Sequence, residues 1–256
     1  MTVRPVLLFA TLLGLASGPL RAETVEQVIA RARAYLGTEA ALNAVTSIHF
    51  TGRLEGVDRV PDKADKTKLL DQPVSLPAEI IFQKPDQQLI IITRSDAVET
   101  TALDGYEAWQ RRDNPKNPAQ WQVNLLDSGQ IKRLRANTWE NLSFFSGLEK
   151  KGGRVQLLGD VTVDGIECVK LSFIHDTNII FVRFFEKATG RLVKTETESG
   201  GEIREEGEVI VNGVRFPRKV VNKSASGQVT TIAFDRVVLN ERIPASQFAV
   251  PDFRPN

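Results

Sequence analysis

Between residues 155 and 221 short apolar runs alternate with turn residues: Asp164-Gly165, Ala188-Thr189-Gly190, Ser199-Gly200-Gly201 and Asn212-Gly213. Asp-Gly and Asn-Gly suit tight hairpins, whose central residues need positive φ. With no helical run between them, these segments predict one antiparallel meander. Within 166–175, Val169, Leu171 and Phe173 alternate with Cys168, Lys170 and Ser172, the pattern of a strand with one side in a core. Segment 179–185 differs. Ile179, Phe181 and Phe185 fall on one face and Ile180, Val182 and Phe184 on the other, with Arg183 the exception. Segment 87–94 is also apolar on both sides, Leu89 and Ile91 against Ile90 and Ile92. A strand apolar on both faces predicts a cover on each, a core plus a helix or a partner sheet. Two such strands far apart in sequence predict a sheet that curves around something.

Elsewhere the period changes. Residues 24–36 carry Val25, Val28, Ile29, Ala32 and Leu36 on one stripe, with Thr24 and Gln27 as a capping box and Gly37 as a stop. Thr38 caps a second short helix that runs to Val45. Asp127 with Gln130 opens another helix that runs to about Phe145, with Ile131, Leu134, Leu142 and Phe145 on one face. Trp139 sits at the margin of that face and Phe144 points away; the two read either as core packing on both sides of a sandwiched helix or as ligand contacts. The helices are the candidates to cover an open sheet face. Strands are expected at 48–54, 79–84, 87–94, 98–103, 106–111, 121–125 and 229–239. The charged, proline-punctuated stretch 56–77 reads as a long loop, and Glu202–Glu206 with the residues to 208 (EIREEGE) as a solvated hairpin rim.

The N-terminus changes the picture of where the protein works. Arg4, the apolar run 6–16, the break at Ser17-Gly18-Pro19 and the small residue Ala22 describe an export signal over 1–22, leaving 23–256 as one domain. The apolar run is short for a membrane span, and no cysteine lies near the junction for lipidation. The expected location is the periplasm, with at most peripheral membrane contact. Two of the 33 Lys and Arg (Arg4, Arg21) and no acidic residue fall within 1–22, so 31 basic side chains remain against 32 acidic ones, a net charge of −1. That near-neutral balance excludes nucleic acid as a partner class. The lone Cys168 excludes an intramolecular disulfide and, on its strand, reads as an inert thiol.

No chemistry of catalysis emerges. His49 and His175 have no metal-type partner at short spacing, and no nucleophile elbow, phosphate loop or dinucleotide fingerprint occurs. The residues call for no cofactor and support a binding or structural domain over an enzyme.

Several segments in order resemble the outer-membrane lipoprotein-sorting proteins of the LolA/LolB-like superfamily. They are Thr51-Gly52-Arg53-Leu54 after an N-terminal helix; Leu103-Asp104-Gly105-Tyr106-Glu107-Ala108-Trp109; Val163 through Leu171; Phe185 through Val193; and Val211-Asn212-Gly213-Val214-Arg215-Phe216-Pro217. The Ile243-Pro244…Phe248…Val250-Pro251 tail fits the same series. The resemblance implies a mainly β, α+β fold: a half-open antiparallel β-barrel, or curved sheet, with helices covering its concave face. It also implies an apolar cavity for an apolar or acylated ligand, a lipid or lipoprotein, with Ile91, Trp109, Trp139, Phe144 and Phe181 as candidate lining residues. The competing expectation is a non-catalytic envelope scaffold or sensor domain, filled by its own side chains, that binds another envelope protein.

Overall fold

The computed structural model describes residues 23–251; the expected export signal over 1–22 and the tail 252–256 lie outside the described residues. Two helices come first, α1 (Val25–Leu36) and α2 (Glu39–Asn43), followed by strands β1 (Ser47–Pro61), β2 (Leu69–Gln83), β3 (Gln87–Thr93), β4 (Val98–Asp104), β5 (Glu107–Asp113) and β6 (Trp121–Leu125). Helix α3 (Ser128–Leu142) separates these from β7 (Arg154–Val163), β8 (Ile166–Asp176), β9 (Ile179–Glu186), β10 (Leu192–Thr197) and β11 (Glu202–Glu206). A small hairpin, β12 (Val209–Val211) and β13 (Val214–Phe216), precedes β14 (Lys219–Lys223) and β15 (Val229–Leu239). Both expected capping boxes form. Thr24 and Gln27 exchange bonds at the start of α1, and Asp127 and Gln130 do so at α3, supplying partners for N–H groups that a helix start leaves free.

Thirteen strands make one antiparallel sheet in the order β6-β5-β4-β3-β2-β1-β15-β14-β11-β10-β9-β8-β7. It is curved and not closed, with β6 and β7 as free edges. The long pairing of β1 with β15 carries a bulge at Thr51/Gly52. A Cβ on Gly52 would lie 2.0 Å from the Ala233 carbonyl oxygen, so only glycine fits where these backbones close up.

Two expectations are corrected here. Residues 56–77 are mostly strand: β1 runs to Pro61 and β2 starts at Leu69, leaving only 62–68 as the turn. This part pairs only with itself, since β15 reaches β1 no further than Glu55 and β3 reaches β2 no further than Ala78. A free two-stranded ribbon has no buried face, so its charges and prolines carried no alternation from which to read a strand. The second correction is EIREEGE. Glu202–Glu206 is a strand inside the sheet, paired with β10 on one side and β14 on the other.

The doubly apolar strands are explained by different covers on the two faces. Inside, helices pack. Outside, no second sheet covers them among the described residues. Leu89 and Ile91 of β3 join Ile81, Ala102 and Trp109 under the C-terminal tail, whose Phe248 is fully buried and accepts a 2.9 Å hydrogen bond from Trp109 Nε1 through its carbonyl. On β9 the outward Phe184 lies with Cys168, Val163 and Val193. The ammonium groups of Lys170 and Lys194 stand 5.0 and 4.4 Å from its ring. Lysine stems over an aromatic face do what a covering layer does, at lower cost in chain length.

Candidate functional site: a cavity between two inner cores

The inner face carries two separate apolar clusters. One gathers Ile48, Phe50, Ile80 and Phe82 of β1 and β2 with Leu42, Leu142, Phe144 and Phe216. The other gathers Val169, Leu171, Phe173 and Phe185 of β8 and β9 with Val28 and Ala32 of α1 and with Trp139, Phe145 and Leu148. Strands β10, β11, β14 and β15 run between them, and their inward side chains, among them Ile203, Val220, Ile232 and Phe234, stay only half-buried. The space over these strands is a cavity of about 300 Å³. A cleft of about 220 Å³ borders it, sharing Phe145, Leu192, Glu205 and Phe216.

The roof is set by the end of α3. Phe144 and Phe145 both have positive φ (48° and 70°), which turns neighbouring rings in opposite directions, Phe144 to the first cluster and Phe145 to the second. Positive φ at two consecutive bulky residues is costly and persists only where the surroundings enforce it. Arg33 of α1 enforces it. Its guanidinium is buried, 7% exposed, and donates to the carbonyls of Ser143 (3.0 Å) and Phe144 (2.9 Å) while its other edge meets Glu39 at 2.7 and 2.6 Å. One arginine thus ties α1, α2 and the α3 terminus into a single roof.

Polar groups also reach the cavity. Arg183 of β9 is 6% exposed and forms an ion pair with Glu140 of α3, whose other oxygen lies 2.5 Å from His175 Nε2. The guanidinium carbon stands 4.7 Å from the centre of the Phe173 ring and 5.0 Å from that of Phe145. Its Nε and Nη1 have no protein acceptor among the described residues. Glu205 of β11 opens onto the same space. Its side chain touches solvent there but is ringed by protein, and the loss of water pushes its carboxyl above the ordinary range against the opposing pull of Arg183.

Of the five residues singled out in the sequence, the structure places Phe144 and Phe181 at the cavity wall. Ile91 and Trp109 are corrected: both lie on the outer face beneath the C-terminal tail, because strand alternation sends Ile90, not Ile91, inward. Trp139 packs within the second cluster, edge-on to His175 with centroids 5.2 Å apart, and is not part of the wall. Glu140, Arg183 and Glu205 were not singled out as site residues. Arg183 did leave a signal, as the one charge in an otherwise apolar run.

No protein-family model matches the sequence, and no curated protein does. The fold does match solved structures. A LolA superfamily protein from Nitrosomonas europaea superposes with a TM-score of 0.58 at 16% identity, over 90% of this chain and 99% of that one. The fold is that of the LolA superfamily. A Vibrio parahaemolyticus domain described as an outer membrane lipoprotein-sorting protein follows at TM-score 0.54 and 12% identity, over 88% of this chain and 97% of its own. A DUF1329 family protein from Desulfovibrio piger gives 0.53 and 12%, with the same coverages. At these identities the likeness concerns backbone architecture, so what the cavity can do must be read from this chain's own side chains.

Proposed function

We propose that the protein is an exported, non-catalytic envelope protein that holds an apolar or acylated ligand, a lipid or the lipid part of a lipoprotein, in the cavity between α3 and the inner sheet face. On this reading residues 1–22 direct export, 23–256 act as one domain, and the site of action is the periplasm. The observation that carries it is an apolar-walled space of about 300 Å³ left between two complete cores. That is the lower end of the volumes typical of small-molecule sites. Each methylene taken from water contributes about 0.8 kcal/mol, enough for a chain of ordinary length to offset the entropy of capture. No helix among the described residues is long and apolar enough to cross a membrane, which suits a protein that meets lipid one molecule at a time.

The test is displacement of a fluorescent fatty-acid probe from the mature protein by acyl compounds of graded length, with native mass spectrometry of protein purified from its own envelope. Micromolar or tighter binding that strengthens with chain length supports the reading. A well-folded protein that binds no acyl compound of any length overturns it. One observation favours the second reading, an envelope scaffold that binds another protein. The free β1–β2 ribbon exposes Val57, Leu69 and Leu70 well clear of the core. Partner capture that survives loss of the cavity but not of the ribbon would support that role.

A further inference from the structure

Charge around the cavity is matched except at one place. Three arginines line the cavity and its bordering cleft, and each holds a glutamate: Arg183 pairs with Glu140, Arg191 with Glu186 at 3.1 Å and Arg215 with Glu208. Glu205 lines both spaces, and no hydrogen bond or ion pair reaches its carboxylate among the described residues. Its place follows from the sheet. Strand β10 pairs with β11 only at Thr195/Ile203 and Glu196/Glu202, after which β11 continues to Glu206 against β14 alone. Glu205 therefore stands past the last β10 rung, where the two strands part and the cavity meets the cleft. It is exposed there, within reach of a guest. The surrounding protein strips water from the side chain and raises its carboxyl, and Arg183, whose charge opposes this, is already held by Glu140.

Resting on the ligand-binding reading above, we propose that the cavity takes an amphiphile headed by a primary ammonium group, and that the Glu205 carboxylate binds that head. A carboxylate only accepts hydrogen bonds, and an ammonium brings three donors with the opposite charge. A carboxylate head would meet like charge at Glu205, and a hydroxyl head would bring one neutral donor. The tail has an apolar path. Glu205 lies across from Val220 and Val220 across from Ile232, so an apolar row leads from the head toward Phe234 and Phe50 on the cavity wall. An aminolipid and the free amino end of an acylated peptide both carry this head.

The experiment titrates the mature protein at pH 7 with dodecylamine, dodecanol and laurate, each below its micelle concentration, by calorimetry. Dodecylamine should bind roughly tenfold more tightly than dodecanol or laurate. That advantage should fall below about twofold in Glu205→Gln. It should persist in Glu206→Gln, which removes the same charge one residue on, from the opposite face of the same strand. A readout without substitution accompanies it: the Glu205 carboxyl-carbon resonance of ¹³C-labelled protein should shift with dodecylamine and not with dodecanol. An S-lauroylcysteine peptide, its amino end free or acetylated, separates the two sources. Tighter binding of the free form supports the site with an acylated peptide as its ligand; equal binding of both forms beside a dodecylamine advantage supports it with an aminolipid. If dodecylamine, dodecanol and laurate bind alike and the carboxyl resonance stays put, the proposal is overturned while the ligand-binding reading stands. A preference for laurate, or loss of the dodecylamine advantage in Glu206→Gln as much as in Glu205→Gln, overturns it in the same way. Failure of every compound to bind removes both.

Discussion

Replacing Arg33 by methionine keeps the stem and the helix propensity of α1 but removes every donor that holds the α3 terminus. Two charge-assisted hydrogen bonds disappear, to Ser143 O and Phe144 O. Such bonds contribute about 1.5–3 kcal/mol each. Water entering beside the roof replaces part of this, and the pair with Glu39 adds little because the Glu39 side chain is 64% exposed. The expected loss is therefore roughly 3 kcal/mol, a large share of the ~5–15 kcal/mol that stabilises a typical domain. For a chain of this size that corresponds to a fall in Tm of about 6–12 °C. Urea unfolding followed by tryptophan fluorescence and by far-ultraviolet circular dichroism measures it, the unchanged slope showing that only the native state has altered. Phe144 and Phe145 are held by the same tie, so probe binding should weaken under conditions where the variant is still folded. A loss below 1 kcal/mol would refute the reasoning, since it would mean that the left-handed Phe144-Phe145 pair holds without Arg33.

Four further outcomes are expected. Ile90→Asp and Phe181→Asp should each abolish acyl-probe binding with the β-sheet signature intact, whereas Ile91→Asp should spare binding per folded molecule and lower Tm by loosening the C-terminal tail; equal effects on binding from all three would contradict the assignment of faces. Gly52→Ala should cost a few kcal/mol, because its Cβ would meet the Ala233 carbonyl at 2.0 Å, and a neutral result in thermal melts would show that the bulge relaxes freely. The protein walls around Glu205 raise its carboxyl although the residue stays solvent-exposed, so the folded state disfavours its charge only mildly: Glu205→Gln should raise Tm slightly at pH 7, and that gain should vanish as pH falls below the unfolded carboxylate range near ~4.3. Burial, with the Glu186 charge second, also raises the Cys168 thiol; stability should therefore fall as pH rises past the unfolded thiol value of about 8.5, and Cys168→Ala should lack that component of the fall while native protein resists alkylation at pH 8.

The elements that could be read from the sequence are those whose neighbours impose a period. The alternation of Val169, Leu171 and Phe173 follows from one inward face, and the stripe of α1 follows from its seat on the second core. Capping boxes at Thr24 and Asp127 are local chemistry and needed no tertiary context. The β1–β2 ribbon lacked any such signature because nothing packs on it. Ile91 and Trp109 were misplaced for a related reason: a strand apolar on both faces does not say which face is inside, and only the docking of Phe248 decides it. Phe181, on the other doubly apolar strand, does reach the cavity wall, but the sequence marked its face no better than it marked that of Ile91.

Glu202–Glu206 shows why the cavity exists at all. A helix laid over this part of the inner face would bury Glu205 and Asn222 beneath apolar side chains, at a cost of several kcal/mol for a charge without a partner. The two apolar clusters therefore stop short on either side of β11 and β14, and α3 bridges them only at its end, through rings that point apart. A polar interruption in the middle of a sheet is usually a defect in a core. Here, with apolar walls on both flanks, it keeps the centre from being filled by the protein's own side chains while leaving enough apolar surface to reward a guest. Filling the space would require both a larger residue from α3 and an uncharged residue at Glu205. The acidic run that looked like a solvated rim is thus the feature of the sequence that separates an open cavity from a closed core.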